Sequence, residues 1–135
     1  MKKTLYWALQ LTWGLPLNLI GAVSALLFAR RRAYFFHGAR VAFWQKKASM
    51  AIGGFIFLEK GIHPQEEARV LYHEYGHTLQ SILLGPFYLP VIALPSLIWA
   101  GSRRCRMYRL KRGKSYYEFY PERWADRLGL PYREV

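Results

Sequence analysis

The sequence predicts an α+β fold that forms a single domain over residues 1–135. Short aromatic and β-branched stretches between residues 33 and 60 are typical of strands. A stretch with the start and stop signals of a helix follows at residues 64–84, and a second such stretch lies near the C-terminus. Two further stretches, residues 5–29 and 86–100, carry no charged side chain and are expected to embed in a membrane. We therefore expect a small antiparallel sheet, two principal helices and one or two membrane segments.

The charge of the chain indicates the kind of partner it binds. Twenty Lys and Arg against eight Asp and Glu give a net charge of +12, which favours nucleic acid or an anionic lipid membrane. The basic residues flank the apolar stretches, at residues 2–3, 30–32 and 103–114, and no nucleic-acid-binding motif accompanies them. We therefore expect an anionic lipid membrane and no nucleic acid. The single cysteine, Cys105, excludes an internal disulfide and a Cys-rich zinc site, and it fits a reducing compartment.

Residues 5–29 are long enough to cross a bilayer, which takes about 20 residues in a helix. A cleaved secretory signal would be similar in length, and residues 23–25 resemble a cleavage site. However, the apolar run continues through that site, and Gln10, Pro16 and Asn18 are unsuited to the core of a signal sequence. We expect a retained membrane segment that either spans once or turns back near residues 14–16.

Three strands are expected ahead of the main helix, at residues 33–36, 41–44 and 51–58, because these stretches are rich in aromatic and β-branched side chains. A turn that contains Lys46 and Lys47 precedes the third strand. We expect the strands to pair in an antiparallel sheet, and the sheet and main helix together to occupy residues 33–84.

The helix over residues 64–84 carries the pattern H-E-Y-G-H at residues 73–77. A proline in its first turn and a Gly-Pro pair after its last turn mark its two ends. Side chains four residues apart lie on one face of a helix, so His73 and His77 can bind a single metal ion. This spacing favours zinc, and it places Glu74 to act as general base on a water molecule. The sequence therefore predicts a Zn²⁺ site in the middle of the helix.

Residues 86–100 contain three prolines, and each removes a backbone donor and kinks a helix. A straight spanning helix is therefore not expected. We expect a broken helix, or a hairpin that enters the bilayer and returns to the same side.

A hydrolytic zinc site needs a third protein ligand and an open position for water. The candidates are two further histidines and three acidic residues near the C-terminus, namely His37, His63, Glu118, Glu122 and Asp126. Glu122 and Asp126 share one face of a helix predicted within residues 115–129, so we expect Glu122 to bind zinc and Asp126 to orient a histidine. Glu118 is the rival ligand, although a capping box with Ser115 already gives this glutamate a structural role. His63 lies too far along the main helix, and His37 is expected in a strand or turn.

The pattern His73-Glu74-x-x-His77, followed by Glu122-x-x-Ala125-Asp126, resembles the gluzincin metallopeptidases. It is most similar to their membrane-bound branch, which includes the CAAX prenyl proteases and the HtpX heat-shock type. The resemblance implies a minimal zincin-like domain in which His73, His77 and Glu122 bind zinc, Glu74 is the base and Asp126 is the supporting carboxylate. The chain also resembles small bacterial membrane proteins that carry HEYGHTLQ and ERWADRLG. These matches cover two short segments of a chain that is much smaller than the gluzincins of that branch.

The pairing of the two segments constrains the topology. If residues 86–100 crossed the bilayer completely, the two histidines and Glu122 would lie on opposite sides of it. A re-entrant segment returns the C-terminal helix to the side of the motif and leaves the basic stretches on the cytoplasmic face. We therefore expect a zinc metallopeptidase of the bacterial cell membrane, with its active site on the cytoplasmic face and a peptide or protein as substrate.

Two alternatives stay open. An intramembrane protease of the site-2 type would use Asp126 as the third ligand and bury the motif helix in lipid. A basic membrane scaffold or adaptor would carry the motif without catalysis.

Overall fold

The structure is a computed structural model that describes residues 2–29 and 33–133. Its helices are α1 (Lys3–Thr12), α2 (Leu15–Phe28), α3 (Pro64–Leu84), α4 (Leu94–Gly101), α5 (Arg103–Arg112) and α6 (Tyr120–Gly129). Its strands are β1 (Tyr34–Phe36), β2 (Ala39–Trp44), β3 (Met50–Ile52) and β4 (Phe55–Glu59). The α+β class is confirmed. The predicted basic stretch at residues 30–32 lies outside the described residues.

The four strands form one sheet in the order β1-β2-β4-β3. The β1–β2 and β3–β4 pairs are antiparallel, whereas β2 and β4 are parallel. The expected antiparallel sheet is therefore wrong at this central pair. Residues 45–49 carry the chain past the position of β4 to the far edge of the sheet, and β4 then returns into the gap. Five extended residues reach about 17 Å, which is enough to cross two strand spacings of about 4.8 Å each.

The strand expected at residues 51–58 is two strands joined by a tight turn at Gly53 and Gly54. Gly53 has a φ of +62°, a left-handed conformation that glycine adopts without strain. The backbone N–H of Gly54 donates to Asn18 Oδ1 at 2.8 Å, so a side chain of α2 holds the turn. The expected single strand over residues 51–58 is therefore wrong, and the Gly-Gly pair is the local signal of the hairpin.

Both faces of the sheet are covered. On one face Val41, Ile56 and Leu58 share a core with Leu71, Tyr75 and Leu79 of α3. On the other face Ala42, Trp44 and Phe57 pack with Ala25 and Ala29 at the end of α2. Three consecutive residues of β4 are fully buried, as expected for a central strand with neighbours on both sides.

The first apolar stretch turns back instead of running straight, since α1 and α2 are bent by 104° at their junction. No single helix within the described ranges is long and apolar enough to cross a membrane, whereas α1 and α2 together meet that test as a bent pair. Residues 86–100 are a broken helix, as predicted: a 3-10 turn (Gly85–Phe87) and a π-helical turn (Leu89–Ala93) precede α4.

Buried amides hold the bend between α1 and α2. Asn18 Nδ2 donates to Gln10 Oε1 at 2.6 Å, and Gln10 Nε2 donates to Ser81 Oγ of α3 at 3.2 Å. Both amides are almost fully buried, and their hydrogen bonds offset the cost of removing them from water. The N-terminal helices therefore belong to the same core as the motif helix.

Helix α6 packs across α3 at two glycines. A Cβ atom on Gly76 would lie 1.9 Å from the Ala125 carbonyl oxygen, and one on Gly129 would lie 1.9 Å from the Tyr72 carbonyl oxygen. No larger residue fits either position unless the helices move apart. This approach brings the first turn of α6 beside the middle of α3, where the H-E-Y-G-H motif lies.

Candidate metal centre

Helix α3 buries the motif. Every residue from His73 to Ser81 is buried, because this part of α3 lies between the sheet and α6. The imidazoles of His73 and His77 point the same way, with ring centroids 4.9 Å apart. The spacing of the histidines therefore has the effect that the sequence predicts.

Helix α6 adds a carboxylate to the two imidazoles. Glu122 Oε2 lies 3.1 Å from His73 Nε2 and 3.0 Å from His77 Nε2, and the Glu122 side chain is fully buried. Ligand atoms of these three residues lie within 4.8 Å of one another, and the group could hold a metal ion. Tetrahedral zinc with ligands at 2.0–2.2 Å separates them by about 3.4 Å, so the donor set needs little adjustment to bind one.

The outer nitrogen of each histidine is fixed by an acceptor. His73 Nδ1 lies 2.7 Å from Asp126 Oδ1, and His77 Nδ1 lies 2.7 Å from Gln80 Oε1. Neither oxygen can donate, so each Nδ1 carries the proton and donates it. A metal ion that displaces the proton from each Nε2 would therefore find both imidazoles in the tautomer and orientation that it needs.

Gln80 is a residue of the site that the sequence analysis missed. Its Nε2 donates to the Pro121 carbonyl oxygen at 2.9 Å, and this bond orients the amide so that Oε1 faces His77. The side chain thus links the metal-binding face of α3 to the first turn of α6. In the sequence, Gln80 is marked only by its position about one helical turn after His77. That position indicates no role until the position of α6 is known.

Charge and burial oppose each other at Glu122. Burial alone would raise the pKa of the Glu122 carboxyl, but hydrogen bonds from His73 and His77 outweigh burial and hold that pKa well below its usual range. Burial alone would lower the pKa of His73, but its hydrogen bonds to Asp126 and Glu122 raise that pKa to about 9. Glu122 Oε1 is buried and makes no hydrogen bond with the described residues. Ser96 and Tyr116 are the polar side chains near it, and a carboxylate that stays anionic at this depth suits a bound cation.

Glu74 lies in the same cleft as the three candidate ligands. Burial raises the pKa of the Glu74 carboxyl above its ordinary value, against the opposing effect of His73 and His77. A carboxylate with a raised pKa accepts a proton more readily than an exposed one. The environment of Glu74 therefore suits the role of general base that the motif predicts.

Arg69 and Tyr117 support Asp126 and His73 from the outside. Arg69 Nη2 lies 3.5 Å from Asp126 Oδ2, and its guanidinium lies 4.1 Å from the centroid of the Tyr117 ring. That ring in turn meets His73 edge to face, with centroids 4.9 Å apart. The sequence does not reveal this role of Arg69, which resembles an ordinary exposed helix residue until α6 is in place.

The rival ligands lie elsewhere. Glu118 accepts from the backbone N–H of Ser115 in the predicted capping box, and His63 accepts from the Gln65 N–H at the start of α3. His37 lies in a turn, as expected, with its ring 5.0 Å from that of Tyr132. Asp126 contacts the outer nitrogen of His73 and not the nitrogen that faces Glu122. This geometry favours Glu122 over Asp126 as the third ligand.

His73, His77 and Glu122 are called the metal group from here on. The cleft beside them has a volume of about 510 Å³. It is lined by the motif face of α3, the edge strand β3, residues of α4, and the tyrosines Tyr116 and Tyr117. Burial, followed by the nearby Glu122 and Glu74, raises the pKa of Tyr116 far above its ordinary value. The Tyr116 hydroxyl is therefore neutral and able to donate.

The fold and the site together define an α+β domain with a buried His-His-Glu group that could hold a metal ion. We find no protein-family model, curated protein or solved structure that matches the chain.

Proposed function

We propose that this protein is a membrane-associated zinc metallopeptidase that hydrolyses peptide bonds. One observation supports this proposal above all others: Glu122 Oε2 lies 3.0–3.1 Å from the facing nitrogens of both motif histidines, in the cleft that also contains Glu74. A short H-E-x-x-H pattern occurs by chance, but a buried third ligand at the correct place is a separate requirement.

His73, His77 and Glu122 would bind the ion, and two imidazoles with one carboxylate are typical of catalytic zinc. Zinc bound there would lower the pKa of water toward neutrality and polarise the substrate carbonyl. Three protein ligands would leave a fourth coordination position on the ion for water or substrate.

The side chains around the group supply the remaining chemistry. Glu74 takes a proton from the attacking water and passes it to the nitrogen of the leaving amine. Asp126 and Gln80 hold the imidazoles in the tautomer that binds the ion. Negative charge develops on the carbonyl oxygen of the substrate, and it needs a hydrogen-bond donor. The candidate donors are Tyr116, Tyr117, Tyr120 and Arg123. Of these, Tyr116 and Tyr117 line the cleft, whereas the Tyr120 hydroxyl donates to the Val91 carbonyl oxygen.

The edge of the sheet offers a place for a peptide backbone. β3 is the last strand in the order β1-β2-β4-β3, so the backbone groups on its outer side have no strand partner among residues 2–29 and 33–133. All three of its residues line the cleft. An extended peptide added alongside β3 would form main-chain hydrogen bonds and pass over the metal group, which favours a peptide over a small molecule as substrate.

The surface supports the proposed location at the cytoplasmic face of the bacterial cell membrane. Many large apolar side chains of α1, α2 and α4 are more than 40% exposed, including Leu26 at 86%. Next to them α5 has six Lys or Arg in its ten residues, no acidic residue and no buried residue. An apolar surface bordered by cations suits an anionic bilayer.

Binding to vesicles tests this location. We expect the protein to co-sediment with vesicles that contain phosphatidylglycerol far more than with phosphatidylcholine vesicles. The difference should shrink as salt rises, because salt screens the basic residues. Equal, salt-independent binding to both would contradict a role for α5, and binding to neither would remove the membrane from the proposal.

The peptidase itself is tested by zinc content and hydrolysis measured on the same detergent-purified preparations. We expect about one zinc per chain in the wild type, and loss of most zinc in His77→Ala and Glu122→Ala. Glu74→Gln should keep its zinc and lose peptide hydrolysis by a factor of at least 10². Glu118→Gln is the matched control, and it should keep both.

The outcomes separate the alternatives. Folded wild-type protein that takes up no zinc would overturn the proposal. Zinc retained in Glu122→Ala but lost in Asp126→Ala would favour the site-2 type of site. Zinc bound as expected, but no hydrolysis of any peptide, would favour a metal-binding membrane scaffold or adaptor.

A further inference from the structure

The cleft has an apolar end that reaches the surface between α2 and α4. Three side chains both line the cleft and are about half exposed. They are Ile20 of α2 at 51%, Leu89 of the π-helical turn at 43% and Leu97 of α4 at 54%. They therefore belong both to the cleft and to the exposed apolar surface that surrounds it. A side chain that enters here passes from that surface toward the metal group without crossing a polar rim.

The side chains that line this end favour an apolar substrate side chain over a charged one. The chain has 20 Lys and Arg, yet none of those in the described ranges lines the cleft. The carboxylates and imidazoles of the lining belong to His73, His77, Glu122, Glu74 and Glu59. A charged or strongly polar side chain placed between Leu17, Ile20 and Leu97 would lose its hydration and gain no partner. A large apolar side chain is favoured there, because contact with these residues removes apolar surface from water.

We propose, on the basis of the peptidase function above, that the substrates are polypeptides with a large aliphatic or aromatic side chain next to the cleaved bond. This side chain enters between α2 and α4, and apolar segments of membrane-embedded polypeptides are the substrate class that this entry favours. The proposal names a determinant of specificity, formed by Ile20 and Leu97, that lies outside the metal group.

The chain offers a matched pair of variants to test this determinant. Ile20→Ser with Leu97→Ser removes apolar area from the cleft, whereas Leu19→Ser with Leu94→Ser removes a similar area from the neighbouring surface. Leu19 and Leu94 are 58% and 56% exposed, lie on the same helices as their counterparts, and do not line the cleft. Both double variants alter half-exposed side chains, so both are expected to fold and to lose membrane affinity equally.

The measurement is kcat/KM in detergent for two fluorogenic peptides that differ only in having Leu or Ser next to the cleaved bond. We expect the wild type to prefer the Leu peptide by a factor of at least ten, which is the discrimination that an apolar pocket typically gives. The cleft variant should lose most of that preference and keep its zinc. The surface variant should keep the preference.

Each outcome bears on a different proposal. Equal cleavage of the two peptides by the wild type, or equal loss of preference in the two double variants, would overturn the specificity proposal and leave the peptidase standing. Cleavage of neither peptide by a zinc-loaded wild type that hydrolyses other peptides would overturn the specificity proposal alone, whereas no hydrolysis of any peptide would overturn both proposals.

Discussion

The Gln80 amide joins His77 to the first turn of α6, and its two ends have separate tasks. Its oxygen accepts from His77 Nδ1, while its nitrogen donates to the Pro121 carbonyl oxygen. The first bond sets the tautomer of a metal ligand, and the second fixes the amide in the orientation that makes the first possible. Groups in this position typically change metal affinity by a factor of 10–100 when they are removed.

We predict that Gln80→Leu weakens zinc binding about 10- to 100-fold, because His77 Nδ1 loses its acceptor and the imidazole is free to rotate. Competition with a chromophoric chelator measures the affinity. Gln65→Leu is the control, since Gln65 lies on the same helix with an exposed side chain, and it should bind zinc like the wild type. Wild-type affinity in Gln80→Leu would show that Gln80 only fills space.

The sequence predicts some residues of the site and not others, for a physical reason. His73, Glu74 and His77 are revealed by their spacing on one helix, and Glu122 with Asp126 by a shared helical face. Gln80, Arg69 and Tyr117 have no comparable local pattern, since each gains its role only from contact with α6 or the turn before it. Residue type and spacing identify the metal ligands, whereas tertiary packing determines which other side chains orient them.

At the scale of the elements, the contact between α3 and α6 determines whether the ligands meet. Gly76 lies within the metal motif itself, and its missing side chain admits the Ala125 carbonyl oxygen. Because α6 must approach this closely for Glu122 to reach both imidazoles, the glycine contributes to metal binding without touching the ion.

We predict that Gly76→Ala lowers the free energy of unfolding by about 2–3 kcal/mol or more and also lowers zinc content. The added methyl group would lie 1.9 Å from a carbonyl oxygen, so α6 must shift and withdraw Glu122. Urea denaturation and metal analysis on the same preparation measure both effects. Gly101→Ala is the control, because a Cβ there meets nothing within 4 Å. A Gly76→Ala protein with normal stability and normal zinc would contradict the close approach.

The sheet shows where local reasoning stops at this scale. The parallel pairing of β2 with β4 depends on where residues 45–49 lead the chain, which no local pattern reveals. The turn within residues 51–58 differs, because its Gly-Gly pair is a local hairpin signal, and Asn18 of α2 adds an acceptor for the Gly54 N–H. The ends of α3 were predictable, in contrast, because proline and glycine act there within a single turn.

At the scale of the whole molecule, the metal group joins parts that are distant in the sequence. Glu122 and His77 are 45 positions apart, and α4 and α5 lie between them in the chain. His77 is also connected through α3 to the N-terminal helices, since Gln10 donates to Ser81. An ion bound here would therefore connect the C-terminal helix to the core that α3 shares with the sheet and α1.

A ligand that binds only the folded state stabilises it in proportion to the logarithm of its concentration, by about 4 kcal/mol at a free concentration of 1,000 Kd. We predict that removing zinc with a chelator lowers the thermal midpoint of the wild type by several degrees, and that added zinc restores it. In Glu122→Ala the ion would be held by α3 alone and would no longer connect α3 to α6, so the midpoint should respond little to zinc. Differential scanning calorimetry in detergent, with and without chelator, measures both. A wild-type midpoint that ignores zinc would show that the ion does not connect the two helices, whereas a shift of the same size in Glu122→Ala would place the stabilising ion at a site that does not use this carboxylate.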